Sequence, residues 1–418
     1  MEVATGQSFH LIVGNNASGK TTLLDGLCTG LSPWLQGLDK NLDSRNIEAN
    51  DIQRRHLRVA DVSSVEESAE TIVSLILNTE EGAHTVTRYR RGIAGRTSHS
   101  PDKAVSQKSK AFVRYAEATA AAVKRGEPMI LPLLCYYGTG RLWLTPKKTT
   151  RRQIESRSRL AGYRTSMDPR CDPKDFKDWF KAQEWSAYQK KAESPLFRVV
   201  REAVLSCLEG AQSIWFNPDP HVMDVMVDFG ARGIQPFDNL SDGQRNIVAL
   251  IGDIAIKAAQ LNPHLGAELL TRTPGVVLID ELDLHLHPKW QRRIVADLKR
   301  CFPLVQFFCT THSPVIIGEV PREEIIVMHD DGTTGQPSVA YGADANWILT
   351  QVMGCAEPRD AAVAKLIQQI ENALEDGELA SAEQGLTKLR AQTGEAEASV
   401  IRLSAQLQTE KDLADAAD

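Results

Sequence analysis

The sequence predicts an α/β fold built on a parallel sheet covered by helices, followed by a helical tail. Three observations predict it. A short apolar run, Ser8–Val13, leads straight into a glycine-rich loop and then into helical spacing over Thr21–Leu31, the strand–loop–helix setting of a phosphate cradle. Buried-strand runs return at Gly275–Asp280, Val305–Thr310 and Glu324–Met328, separated by helical stretches. The last 60 or so residues then change character.

Further strand-like runs are Thr71–Leu77, His84–Arg90 and Ile130–Tyr137. Lys147–Lys191 is polar, charged and tryptophan-bearing, a helical, basic insertion over about 145–200. In the tail, Val363, Leu366, Ile367, Ile370 and Leu374 keep helical spacing. Leu379–Leu389 and Ala396–Leu407 continue as helices punctuated by Gly377 and Gly394. The expected division is a head over 1–345 and a helical tail over 346–418 suited to docking a partner. No internal repeat of 20–50 residues is present.

Composition narrows the class. The net charge of −6 gives no average reason to bind nucleic acid, so such a role needs a local patch. No apolar run reaches the roughly 18 residues of a membrane span. Met1–His10 lacks the basic-then-apolar pattern of a signal peptide. Seven cysteines are scattered without a CxxC pair, as in a reducing compartment. A soluble cytoplasmic protein, not associated with a membrane, is expected.

Four motifs carry chemistry. Gly14-Asn15-Asn16-Ala17-Ser18-Gly19-Lys20-Thr21 matches GxxxxGK[ST] in full, with Thr22 beside it. Its glycines let backbone amides wrap phosphates, Lys20 reaches the β- and γ-phosphates, and the Thr21 hydroxyl ligates Mg²⁺. The strand before it and the helix after it argue against an ordinary glycine turn. The strand Val276–Ile279 delivers Asp280 to its carboxyl end for the metal and sets Glu281 beside it as the base for the attacking water. Leu240-Ser241-Asp242-Gly243-Gln244 opens an apolar helix whose N-terminus suits a phosphate. Alone it would be an ordinary N-cap. Thr310-Thr311-His312-Ser313-Pro314 follows the strand VQFFC, where a lone histidine would ordinarily be structural.

In this order, over roughly residues 8–330, the four resemble the ABC-type ATPase heads, with LSDGQ similar to the LSGGQ signature. The resemblance implies an ATP- and Mg²⁺-dependent ATPase, a P-loop parallel sheet with antiparallel β and helical lobes. It implies catalytic roles for Lys20 and Glu281, and for His312 as a switch histidine beside the γ-phosphate. It also implies head-to-tail pairing, each nucleotide lying between Lys20 of one copy and the Ser241–Gln244 segment of the other, Ser241 and Gly243 above all.

The run DELDLHLHPKWQ from Asp280 departs from transporter ATPases and looks like the SMC, RecF and overcoming-lysogenization-defect group. Leu131-Pro132, Tyr136-Tyr137-Gly138-Thr139-Gly140-Arg141-Leu142-Trp143 and the tail from Met353 to Arg390 resemble the PtuA ATPases of Septu-type, including retron-linked, anti-phage systems. That resemblance implies a defence complex in which the ATPase controls a separate HNH-type nuclease, PtuB-like. A RecF- or SMC-like DNA-repair clamp is the alternative.

Two features depart from the family. Only about a dozen residues precede Gly14, where an extra strand with an Asn-Phe-Arg type motif is usual. Either the start is trimmed or the sheet edge differs. No glutamine loop stands in its usual place. There, Tyr137–Arg141 either line the nucleotide or form a buried aromatic strand end with a turn. The helical tail is too short for a Toprim nuclease, so no nuclease centre is expected in the chain. Asp330-Asp331 reads as a solvated turn, and Asp283, His285 and His287 as structural or interface residues. The basic excess over 147–177 either contacts nucleic-acid phosphates or is a solvated helical face.

Overall fold

The apolar runs assemble into one six-stranded sheet in a computed structural model that describes residues 8–59, 62–79, 81–141, 158–170, 173–219, 221–355 and 359–417. The chain divides into two units, Met1–Ala343 and Asp344–Asp418. In the first unit the elements around the sheet are β1 (Phe9–Gly14), α1 (Lys20–Leu38), β2 (Leu133–Tyr137), α2 (Asp242–Leu261), β3 (Gly275–Ile279), β4 (Val305–Thr310), β5 (Ile325–Met328) and β6 (Thr334–Gly335). The strand order is β6-β5-β1-β4-β3-β2, parallel throughout except for the antiparallel edge strand β6.

Burial along the strands explains why they pair this way. Phe9, Leu11, Ile12, Val277, Leu278, Ile279, Phe307 and Cys309 are all fully buried. Such unbroken burial requires cover on both faces of the sheet, as parallel strands usually have. Much of α2 is equally enclosed, with Val248, Ile251, Ile254, Ala255 and Leu261 inaccessible to solvent.

Helix α1 runs beyond the expected Leu31 to Leu38, through Pro33. An interior proline costs a helix about 3 kcal/mol. Beyond it, however, Trp34, Leu35 and Leu38 are all buried. Each such side chain contributes about 1.5–3 kcal/mol, so packing outweighs the missing N–H.

Smaller antiparallel sheets complete the first unit. One pairs Glu70–Thr79, Gly82–Arg91 and Ser98–His99, and another pairs Ser213–Phe216, Val225–Asp228 and Ile234–Pro236. Helices at Lys103–Lys124, Pro173–Lys190 and Pro195–Cys207 form the helical part. The insertion is therefore helical where described, while its basic residues Lys147, Lys148, Arg151, Arg152 and Arg157 lie outside the described residues, as do Leu142 and Trp143.

The second unit holds the helices Ala345–Gln351, Ala361–Glu375, Leu379–Thr393 and Ala398–Ala417. Ile370, Leu374, Leu386, Leu389, Val400, Leu403 and Leu407 close its own core. Asp360 caps the Ala361 helix by accepting from the amides of Ala362 and Val363. Among the described residues, no helix is long and apolar enough to cross a membrane.

Candidate nucleotide site

Parallel register brings the carboxyl ends of β1, β2, β3 and β4 together. Ile12 aligns with Thr310, Ile279 with Cys309, and Ile279 also with Tyr137. The loops after β1, β2, β3 and β4 therefore leave one carboxyl edge of the sheet, where open α/β sheets bind ligands.

The loop after β1 is shaped for an anion. Gly14 ends the strand and aligns with Met328, and the Ser18 amide donates to the Asn15 carbonyl at 3.2 Å. Gly19, the residue before α1, has φ 93°, in the left-handed region that favours glycine. No side chain caps α1 and no acidic residue stands in its first turn, so its leading amides and positive dipole end serve an incoming phosphate. The Ser18 hydroxyl oxygen is buried without a hydrogen-bond partner. Asn15, Asn16 and Ala17 form the exposed lip. The Asn15 side-chain Nδ2 also donates to Asp330 Oδ2 at 3.3 Å, so Asp330 meets the loop while Asp331 accepts from Thr333 within the turn.

Lys20 is buried, and its Nζ donates to the carbonyls of Gly14 (2.8 Å) and Asn15 (2.7 Å). Burial lowers its pKa from the usual lysine value, against the opposing charges of Asp280 and Glu281. Thr21 Oγ1 donates to Asp280 Oδ2 at 3.0 Å, and Thr22 is exposed beside it. A hydroxyl and a carboxylate are the hard oxygen donors Mg²⁺ takes.

Thr310 ties the two acidic residues together. Its hydroxyl donates to Asp280 Oδ1 at 2.5 Å and accepts from the Glu281 amide at 2.8 Å. The Asp280 amide donates to the Tyr137 carbonyl at 2.8 Å, which holds the turn to β2. Glu281 has φ 49°, uncommon for a residue other than glycine and held only where the surroundings enforce it. Asp283 accepts from Thr311 Oγ1 at 2.5 Å and from the His312 amide at 3.3 Å. It thus braces the histidine segment, a role its spacing with His285 and His287 did not reveal.

The Ser241 segment opens α2 with an exposed serine cap and a buried glycine. Ser241 is exposed and caps α2 in a reciprocal box with Gln244: Gln244 N donates to Ser241 Oγ, and Ser241 N donates to Gln244 Oε1 at 3.0 Å. Asp242 pairs with Arg245. Gly243 is buried, and a Cβ there would lie 2.5 Å from a Trp290 ring atom and 2.7 Å from the His285 carbonyl oxygen. Its own chain covers this glycine. Ser241 and Asp242 remain open to solvent at the helix end, while Trp290 and the His285 carbonyl lie against Gly243. His287 caps the short Pro288–Gln291 helix, its Nδ1 accepting from the Lys289 amide at 3.3 Å.

At the end of β2, Tyr137 and Arg141 are both about 1% exposed. Tyr137 donates to Asp253 Oδ2 at 2.7 Å. Arg141 donates to the carbonyls of Asp280 (2.7 Å) and Glu281 (2.9 Å). The buried strand end with a turn is what is found, and the arginine grips the Asp280–Glu281 turn from within.

In the described part of the basic segment, charge is largely committed. Arg170 pairs with Asp168 at 2.6 Å, Lys177 with Asp224 and Asp238, and Arg159 donates to the Leu261 carbonyl.

The chain is similar to several known proteins. A family profile described as "AAA domain" matches residues 3–195, and one described as "AAA domain, putative AbiEii toxin, Type IV TA system" matches 148–318. A "Retron Vc95 probable ATPase" from Vibrio cholerae serotype O1 biovar El Tor is 26% identical over 373 residues, 77% of this chain and 68% of that protein. The "Septu protein PtuA" of Bacillus mycoides (strain KBAB4) is 40% identical over 103 residues, 24% of this chain and 14% of that protein. Among solved structures, an SMC head bound to the C-winged helix domain of ScpA is 16% identical, covering 80% of this chain and 90% of that one, with a TM-score of 0.41.

Proposed function

We propose that this chain, an SMC/RecF-like ATPase related to PtuA and to the retron ATPases, hydrolyses ATP in a head-to-tail pair within an anti-phage complex and thereby controls an associated HNH-type nuclease. The observation that carries the ATPase half is the Thr21–Asp280–Thr310–Glu281 cluster facing an uncapped P-loop helix. The retron and Septu relatives support the defence setting. The Ser241 end of α2 supports pairing, because Ser241 and Asp242 are open to solvent, where a second copy can reach them.

In this mechanism Lys20 exchanges its two loop carbonyls for β- and γ-phosphate oxygens. Thr21 and Asp280 would hold Mg²⁺, whose charge offsets that developing on the phosphates. Glu281 takes the proton from the attacking water as the water oxygen bonds to the γ-phosphorus and the bridging oxygen departs with ADP. His312 hydrogen-bonds the γ-phosphate. Ser241 of the partner copy closes the site from the other side.

Glu281→Gln tests the chemistry, with turnover expected to fall by about 10²–10⁴ while ATP binding is retained. Unchanged turnover would rule Glu281 out as the base. For the complex, a tagged full-length chain expressed from its own locus should co-purify with an HNH nuclease. Recovery of the chain with DNA and no nuclease would favour the clamp instead.

A further inference from the structure

The side of the Asp280–Glu281 turn that faces the protein interior is held by two side chains with no assigned part in the chemistry. Arg141 spreads its guanidinium over three backbone carbonyls: Nη1 donates to Asp280 (2.7 Å) and Gly138 (3.2 Å), and Nη2 to Glu281 (2.9 Å). Its Nε donates to Asn246 Oδ1 at 3.1 Å. Asn246 is 2% exposed and lies five residues beyond Ser241, in the second turn of α2. Its amide nitrogen donates to the Leu284 carbonyl at 2.7 Å, so it holds the segment after Glu281 as well.

These bonds close a short chain from one functional element to the other: Ser241 caps α2, Asn246 leaves its second turn, Arg141 grips the turn, and Glu281 sits at φ 49°. A left-handed glutamate is strained and persists only where neighbours enforce it. Planar guanidinium donors are suited to holding adjacent carbonyls in a fixed relation, which a lysine ammonium cannot reproduce.

We propose that Arg141 and Asn246 are positioning residues that set the Glu281 carboxylate according to the position of the Ser241 helix end in the same subunit. The inference rests on the paired ATPase reading. In a head-to-tail pair, the Ser241 end of one copy meets its partner's nucleotide, while Glu281 of that copy acts on its own. The relay therefore links the two ATP sites of the pair through one subunit's interior, and neither residue touches ATP.

The test uses the full chain with Asn246→Ala, which cuts the relay but leaves the arginine on its carbonyls, and Arg141→Lys, which keeps charge but loses the fork. Three quantities are read: melting temperature, affinity for a fluorescent ATP analogue, and kcat. Both variants are expected to bind nucleotide within about threefold of the unaltered chain while kcat falls about 10- to 100-fold, the scale on which an ångström of misplacement slows a reaction. A purely structural role would instead lower affinity, melting temperature and kcat together, and that result overturns the proposal. So does a kcat within about twofold in both variants. If Asn246→Ala fails to fold, Arg141→Lys decides by the same readouts. Glu281→Gln run alongside separates the two levels: if it is inactive while the relay variants are normal, only the relay is wrong. If it turns over normally, the general-base reading fails first.

Discussion

Thr310 shows how much of the site rests on one hydroxyl. It donates to Asp280 and accepts from the Glu281 amide, and it is 1% exposed. Thr310→Val keeps the shape and removes both bonds, leaving a buried donor and acceptor unmet at a cost of about 1–3 kcal/mol. Chemical denaturation should show that loss, with lower kcat at saturating ATP because the carboxylates lose their common tether. Unchanged stability and kcat would contradict the tether. That Lys20, Thr21, Asp280 and Glu281 come together was legible in the sequence, because each sits at the end of an apolar strand or in the glycine loop that follows one. Arg141 was not. Its role follows from strand register, Ile279 lying beside Tyr137, which no local pattern encodes.

At the scale of elements, the parallel strands of the central sheet, the two long strands Glu70–Thr79 and Gly82–Arg91, the start of α1 and the last three tail helices could be read from the sequence, while the short strands Ser213–Phe216, Val225–Asp228 and Ile234–Pro236 could not. The end of α1 could not, because burial of Trp34 and Leu35 overrides the local proline signal. Gly243 teaches the same lesson for the Ser241 motif. Its place in LSDGQ suggested a phosphate contact, whereas Trp290 and the His285 carbonyl fill the space a side chain would need. Gly243→Ala should therefore destabilise the protein by about 1–3 kcal/mol through overpacking. A second change, Trp290→Leu, should recover part of that loss in thermal denaturation. If Gly243→Ala is neutral, the glycine is not there for packing.

For the whole molecule, the arrangement is a P-loop unit with a separately cored helical unit after it. The first carries the Lys20 loop and the Ser241 helix end, which in the proposed function are the two halves of an ATP site that meet only between two copies. Mixing two inactive variants tests this most directly. Lys20→Ala removes the phosphate lysine, and Ser241→Asp keeps the helix cap while opposing a phosphate with charge. Each alone should hydrolyse almost no ATP. Mixed equally, about half of the pairs join one of each, and each such pair holds one intact site, so about a quarter of normal turnover should return. If the mixture stays as inactive as its components, Lys20 and Ser241 do not serve a shared site across two copies.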